Sequence, residues 1–306
     1  MPSSPFSAEG PEGLVVSGHG RHLIVEGSGA ERVLCHTRGK RSEAVVGDRV
    51  RWQSSGDEGV IDAVLPRTSL LYRQDEWKTK AFAANIDQLI VVVAAEPVFS
   101  ESQLARALIA ANEARIAARI VLNKRDLASF GAARERLEPY AAMGVELLEL
   151  TLKHDSAEAQ RRLAPLLAAR ATLVLGPSGA GKSTLVNLMV PDARAQTGDI
   201  SQALNTGRHT TTVTQWYWLD AARTSALIDS PGFQEFGLRQ IAAERLATLM
   251  PDIGRHTGEC RFYNCTHRQE PGCGVLAALE RGEIAPSRYR IYREIFAELA
   301  GSRSAG

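Results

Sequence analysis

The first fifth of the chain alternates short apolar runs with glycine and polar breaks. Runs at 14–18, 22–27, 32–37, 48–53 and 59–65 predict about five strands. Gly47-Asp48 and Gly56-Asp57 read as turns between them. About five strands in so short a stretch suit a small barrel such as an OB-fold. A small sandwich or an SH3-like barrel fits the same pattern. Residues 1–13 are rich in Ser, Pro and Gly and are expected to be loose.

The pattern changes near Trp77. Residues 85–95 form an almost unbroken apolar run, as expected of a strand buried on both faces. Residues 100–114 follow with helical spacing at Leu104, Leu108 and Ala111. Strand and helix patterns then alternate: strand 119–122, helix 131–143, strand 145–151, helix 157–170, strand 171–176, helix 181–189. That alternation implies a mostly parallel sheet covered on both faces. Residues 214–220 and 224–229 predict two more strands. The loop at 191–212 is long and polar, a feature that usually marks function or mobility. From about Gln240 the pattern turns helical, then cysteine-rich, then helical again over 286–299. The expected division is a barrel over 1–74, an α/β unit over 75–240 and a helical, cysteine-bearing unit over 241–306.

Composition narrows the function little. Apolar residues are 44% of 306, enough for a sizeable core and too many for disorder. Lys+Arg is 36 against 35 Asp+Glu, which excludes a wholly basic nucleic-acid coat but not a local basic face. Residues 1–70 hold eight Lys+Arg and nine Asp+Glu; only Arg38-Gly-Lys40-Arg41 is locally basic, and it also reads as a solvated hairpin turn. No apolar run approaches a membrane span, and residues 1–13 do not resemble a signal peptide, so a cytoplasmic, monomeric protein is expected. Three of the four cysteines crowd into 260–273, which in a reducing compartment favours a metal over disulfides.

Three motifs carry nucleotide chemistry. Gly176-Pro177-Ser178-Gly179-Ala180-Gly181-Lys182-Ser183 fits G-x-x-x-x-G-K-[ST] between a predicted strand and a predicted helix, and Thr184 continues it. Its glycines let backbone N–H groups curl around phosphates at a helix N-terminus. Lys182 is expected to reach the outer phosphates and Ser183 to ligate Mg²⁺. Asn123-Lys124-Arg125-Asp126 follows a strand. The Asp126 carboxylate can accept both N–H donors on one edge of guanine, the Lys124 stem can lie along the base and Asn123 can brace the loop. Adenine presents a different pattern and would leave groups unpaired. Asp229-Ser-Pro-Gly232 ends a strand, where the carboxylate can hold Mg²⁺ through water and the Gly232 N–H can sense a γ-phosphate. In Gly207–Thr212 one threonine, taken as Thr211, could complete the Mg²⁺ shell.

Cys260-x₄-Cys265-x-His267-x₅-Cys273 offers three thiolates and an imidazole within 14 residues. Four protein ligands leave no open position, so a structural Zn²⁺ is expected. Cys35 stands apart and reads as a core thiol.

In an ordinary GTPase the phosphate loop comes first and the guanine motif last. Here the guanine motif precedes the loop by about 50 residues. Circular permutation accounts for this: the sheet keeps its neighbours, and the old ends are rejoined through the helix near 157–170. In this order, behind a β-barrel and ahead of the cysteine set, the motifs resemble the RsgA (YjeQ/YloQ) family. These are circularly permuted GTPases acting late in small ribosomal subunit assembly. The resemblance implies an α/β phosphate-loop GTPase domain, an N-terminal OB-fold and a C-terminal helical zinc-binding domain, the first and last contacting ribosomal RNA. It puts the guanine motif on Asn123, Lys124 and Asp126, the phosphate loop on 176–184, the Mg²⁺ aspartate on Asp229 and the zinc ligands on Cys260, Cys265, His267 and Cys273. Thr151 stands where the family's last base-side turn, a Ser-Ala-like pair, is expected.

Many GTPases place a Gln after the DxxG glycine to orient water; Phe233 cannot do so, which predicts slow turnover needing outside help. His209 is a candidate to position water, in line with the resemblance. Rival readings are an ATP-using phosphate-loop kinase, which the NKRD motif disfavours, and an RNA-binding module with a merely structural nucleotide. The Lys182, Ser183 and Asp229 set disfavours the latter.

Overall fold

The computed structural model describes residues 10–19, 22–38, 44–74, 79–193, 213–231, 233, 236 and 238–303. Residues 39–41 of the basic turn, Gly207–Thr212 with His209 and Thr211, and Gly232 lie outside the described residues.

Strands β1 (Glu12–His19), β2 (His22–Gly27), β3 (Arg32–Thr37), β4 (Arg49–Ser55) and β5 (Glu58–Val64) run in the order β1-β2-β3-β5-β4. A further β1–β4 pairing closes the ring into a barrel, which removes most free edges. Only the β3–β5 contact within it is parallel. Val15, Val25, Val50, Ile61 and Trp52 fill the interior. Trp52 needs room on both sides: a Cβ at Gly59 would meet its ring at 3.0 Å and the Cys35 sulfur at 2.5 Å. Cys35 is fully buried, and burial pushes its thiol up to about 11, as expected of a core thiol.

The barrel joins the α/β unit edge to edge. The second half of β1 pairs antiparallel with β12 (Thr214–Trp218), Ser17 opposite Gln215 and Gly18 opposite Thr214. The buried Glu26 carboxylate reinforces the joint, accepting from Trp218 Nε1 at 2.7 Å and Arg32 Nε at 3.0 Å, with Arg223 at 3.3 Å. A hairpin of β6 (Leu70–Gln74) and β7 (Thr79–Ala84), not anticipated from the pattern, lies between barrel and main sheet.

The main sheet runs β10 (Glu146–Glu149), β9 (Ala117–Asn123), β8 (Gln88–Ala94), β11 (Ala171–Leu175), β13 (Ala226–Asp229), β12. All of these pairings are parallel except β12–β13. Alternate residues of β8 serve two cores: Leu89, Val91 and Val93 join one, Ile90, Val92 and Ala94 the other. Its near-continuous apolar run thus has a physical cause, since both faces are covered. Helix α1 (Glu101–Glu113) covers the first face; α4 (Ser156–Leu167) and α5 (Lys182–Met189) cover the second. Ser100 caps α1 and Asp155 caps α4. The helix expected over 131–143 is two pieces, α2 (Phe130–Glu135) and α3 (Glu138–Ala142). Pro139 lacks an N–H and is accommodated in the first turn of α3.

The chain beyond residue 240 packs on the α1 side. It comprises a 3₁₀ segment (Ala243–Leu249), α6 (Pro251–Gly254), a second 3₁₀ turn (Thr257–Glu259), α7 (Gly274–Glu280) and α8 (Pro286–Arg303). Its anchor is the ion pair of Arg288 (2% exposed) with Asp252 (4%), at 2.7 and 3.1 Å. The same guanidinium lies 4.7 Å from the centre of the Tyr140 ring on α3. Asn112 donates to the Leu249 carbonyl at 2.9 Å, and Arg245 pairs with Glu113.

Breaking a buried pair from one side strands a charge. Arg288→Met is therefore expected to cost about 3–5 kcal/mol in urea unfolding of the transition that includes residues 240–303. Adding Asp252→Leu should recover much of that loss. Equal stability of the wild type and Arg288→Met would show that the pair does not anchor this segment.

Candidate nucleotide site and metal centre

Parallel strands put their carboxyl ends on one edge, and the register here brings the motifs to that edge. Asn123 ends β9 opposite Ala94 of β8; Leu175 ends β11 opposite Val91; Asp229 ends β13 opposite Val174. The guanine motif and the phosphate loop are separated by β8 alone. Such an edge, where loops leave neighbouring strands, is where open α/β sheets bind ligands.

Asn123 is the tie between these loops. Buried, it accepts from the Leu152 N–H at 3.0 Å and donates from Nδ2 to the Ala180 carbonyl, inside the phosphate loop, at 2.9 Å. Arg125 N–H reaches the Leu150 carbonyl at 3.2 Å, so the loop holding Thr151 is pinned beside the NKRD turn. Thr151 itself is half-buried, and Asp155 N–H donates to its carbonyl. Lys124 adopts a left-handed φ of +65° and donates to the Glu96 carbonyl, while Ser129 Oγ donates to the Glu96 carboxylate at 2.7 Å. The Asp126 and Arg125 side chains are exposed, which leaves the Asp126 carboxylate open to a base.

The phosphate loop depends on its glycines. Gly179 and Gly181 have φ of +78° and +107°. A Cβ at Gly181 would sit 2.2 Å from Asn123 Nδ2, and one at Gly176 2.4 Å from the Val92 carbonyl oxygen. Ala180 is fully buried, Pro177 half-buried and Ser178 exposed. Gly181 caps α5, whose first turn is Lys182, exposed Ser183 and exposed Thr184. The free N–H groups of that turn and the helix dipole favour an anion. Lys182 pairs with the Asp229 carboxylate, both largely shielded from solvent. The ion pair brings the phosphate-loop lysine and the strand-end aspartate to one point.

Two features here had no signal in the sequence. The Thr214 and Ser230 hydroxyls meet at 2.8 Å in the interior, linking the start of β12 to the residue after Asp229. Glu96 serves as the stop for Lys124. Phe233 is buried, as is Phe236, whose ring meets Phe82 of β7 edge-on at 6.0 Å. The side chain at 233 belongs to the core and does not address water.

The four cysteine and histidine donors converge. Their ligand atoms lie within 4.8 Å of one another. Cys260 Sγ is 3.9 Å from Cys273 Sγ and 3.4 Å from His267 Nδ1, and Cys273 Sγ is 3.6 Å from that nitrogen. A tetrahedral Zn²⁺ with Zn–S of about 2.3 Å would set its sulfurs about 3.8 Å apart, so the donor set fits such an ion. Burial pushes the Cys265 thiol up to about 12 and the His267 imidazole below its usual value. A divalent cation reverses that cost by binding thiolates and a neutral imidazole. The surroundings hold the knuckle in shape: Tyr289 donates to the His267 carbonyl and Tyr292 to the Thr266 carbonyl, each at 2.9 Å. Glu270 accepts from the N–H groups of Thr266, Arg268 and Gln269 at 2.7–3.1 Å. Burial opposes its ionisation, but these hydrogen bonds and that of the Thr266 hydroxyl hold its carboxyl well below the usual range.

The fold and this arrangement define a circularly permuted phosphate-loop protein of the GTPase class with a barrel in front and a candidate metal knuckle behind. The RsgA GTPase family model matches residues 64–239. The chain is 60% identical over 297 residues to the small ribosomal subunit biogenesis GTPase RsgA of Variovorax paradoxus, covering 95% of this chain and 93% of that one. It is 50% identical over 303 residues to its namesake in Burkholderia pseudomallei, covering 97% and 96%. The crystal structure of YjeQ from Thermotoga maritima superposes with a TM-score of 0.71 at 32% identity, covering 95% of this chain and 99% of that one. That of YloQ, described as a circularly permuted GTPase, shares the fold with a TM-score of 0.68. The chain belongs to the RsgA GTPase family.

Gly181→Ala is expected to lower guanine-nucleotide affinity at least ~10-fold, because the new Cβ collides with Asn123 at a backbone angle that disfavours L-residues. Gly131→Ala, with open space around it, should change nothing measurable. Calorimetric titration with a GTP analogue checks both; full affinity in Gly181→Ala would refute the steric account.

Proposed function

We propose that this chain hydrolyses GTP to GDP and phosphate in the late assembly of the small ribosomal subunit, is stimulated by that subunit, and leaves it on hydrolysis. The observation that carries the GTPase reading is the Asn123 carboxamide, which joins the guanine-motif strand to the phosphate loop. The names of the relatives support the biological setting. The units in this reading are the barrel (1–74), the GTPase unit (75–240) and the metal-bearing unit (241–306), in a chain acting as a monomer in the cytoplasm. Among the described residues no helix is long and apolar enough to cross a membrane.

In this reading Asp126 accepts from the guanine edge and Lys124, braced on Glu96, lies along the base. The N–H groups of 176–184 surround the phosphates, and Lys182 leaves Asp229 to reach their outer oxygens. Ser183 and Asp229, with Thr211, would hold Mg²⁺, which supplies charge neutralisation on the β- and γ-phosphates. His209 positions the attacking water, since the buried Phe233 cannot. Cys260, Cys265, His267 and Cys273 would hold one Zn²⁺ as a structural ion. The segment after Asp229 leads through Phe233 and Phe236 to the metal-bearing unit, so γ-phosphate binding and ribosome contact are coupled through it.

Purified small subunits should raise GTP turnover at least ~10-fold over the free protein. An unchanged rate would overturn the ribosome-dependent reading. Asp126→Asn offers an amide donor where the base needs an acceptor, so GTP affinity should fall at least ~100-fold while xanthosine triphosphate, which has a carbonyl there, gains. Equal loss for both nucleotides would count against this base assignment. One zinc per chain is expected by elemental analysis. Cys260→Ser should make 256–273 protease-sensitive while GTP binding persists; an unaltered cleavage pattern would argue against a structural ion.

A further inference from the structure

The strand-end aspartate sits where pairing in the sheet runs out. Asp229 is the last residue of β13, flanked by Val174 of β11 and by Gln215 of β12. One step further along the same register Ser230 stands opposite Thr214, the first residue of β12. Pro231 follows and has no N–H to offer a ladder. The sheet thus loses a backbone donor two residues after the carboxylate. Side chains join the strands at the step between: the Thr214 and Ser230 hydroxyls meet at 2.8 Å. Both residues are buried, Ser230 at 1% and Thr214 at 8% exposure, so the bond is made away from competing water.

Thr214 is held from its other side as well. It pairs with Gly18 of β1, while Gln215 pairs with Ser17. β12 therefore lies between a barrel strand and β13, and its first residue has little freedom to shift. The partner of the Ser230 hydroxyl is a fixed point in the sheet and not a loop side chain. Threonine suits that place. Its β-branch favours extended backbone and limits the side chain to few rotamers, which fixes the hydroxyl.

The donors around Asp229 fit a hard divalent cation. Asp229 supplies a carboxylate oxygen, Ser183 adds an exposed hydroxyl in the first turn of α5, and the Lys182 ammonium already sets positive charge against that carboxylate. Mg²⁺ demands near-ideal geometry, so a small rotation at the end of β13 is felt as lost affinity. We infer that Thr214 is a positioning residue for the Asp229 carboxylate, acting through Ser230, and that this hydroxyl pair sets how tightly Mg²⁺ is held beside a bound nucleotide. The inference rests on the reading above that Asp229 holds Mg²⁺, and in it Thr214 acts on the ion only through its neighbours.

The test titrates Mg²⁺ into the full chain carrying a fluorescent non-hydrolysable GTP analogue, and measures analogue affinity separately in EDTA. Thr214→Val keeps the shape and removes the hydroxyl. It should raise the Mg²⁺ concentration at half-saturation about 3- to 10-fold, the effect of losing one buried hydrogen bond, while affinity in EDTA stays at the wild-type value. Thr214→Ser keeps the hydroxyl and should retain most of the Mg²⁺ affinity. Ser230→Ala should match Thr214→Val, and the double variant should be no worse than either, since the two hydroxyls act as one unit. Wild-type Mg²⁺ dependence in Thr214→Val would overturn the inference. So would an equal loss of affinity in EDTA, or additive losses in the double variant; either would mark the pair as packing alone. Asp229→Asn separates this inference from the reading beneath it. If that variant needs far more Mg²⁺, Asp229 stands as the holder of the ion whatever Thr214 does; if it titrates like the wild type, both fall.

Discussion

One carboxamide sets the geometry of the nucleotide site. Asn123 spends both ends of its amide on backbone: an N–H from the loop after β10 and a carbonyl in the phosphate loop. A buried amide left half-paired costs more than a hydrogen bond contributes, so neither contact can be released cheaply. The three loops around the site are therefore fixed relative to one another. Sequence order has no part in this. Asn123 and Ala180 are 57 residues apart, and the strand between their own strands, β8, precedes both in the chain. A sheet whose register holds these loops together tolerates a change in where the chain starts.

The two outer units attach to the α/β unit at different places. The barrel continues the sheet through β1 and β12, with Glu26 gathering Trp218, Arg32 and Arg223 at the joint. The C-terminal segment is tied through Arg288, Asp252 and Tyr140. The residues after Asp229 are packed: Ser230 touches Thr214 at the start of β12, and Phe233 and Phe236 enter the core. A shift at the strand-end aspartate thus has a packed route in both directions. This supplies a physical basis for linking nucleotide state to the barrel and to the C-terminal segment.

Much of this was legible in the residues because the chemistry demands fixed spacings. A phosphate loop must turn tightly before a helix, and a four-ligand metal knuckle must bring its donors within a few ångströms; both leave short, rigid patterns. The apolar run at 85–95 announced a strand covered on both faces, and Leu89 and Ile90 do face separate cores. Other features left no such trace. The β6–β7 hairpin is interrupted by charged residues and reads as a linker. Arg288 sits in a helix dense with charge and looks like a solvent-facing arginine, yet it is buried. The β1–β12 pairing joins two ordinary strands, and edge-to-edge pairing between distant segments has no local signature. Asn123 was recognised as a brace, but its second partner, Leu152, could not be read from spacing. The order of the motifs gave the permutation; the ribosomal setting came from the family resemblance, and composition, with nearly balanced charge, gave nothing toward it.

The most direct measurement of the central claim is a crystal structure of the chain with Mg²⁺ and a non-hydrolysable GTP analogue. The account requires the guanine edge against the Asp126 carboxylate, the γ-phosphate at Lys182, and the Asn123 amide still joining Leu152 to Ala180. A purine seated away from Asp126 while the triphosphate occupies the 176–184 loop would contradict it.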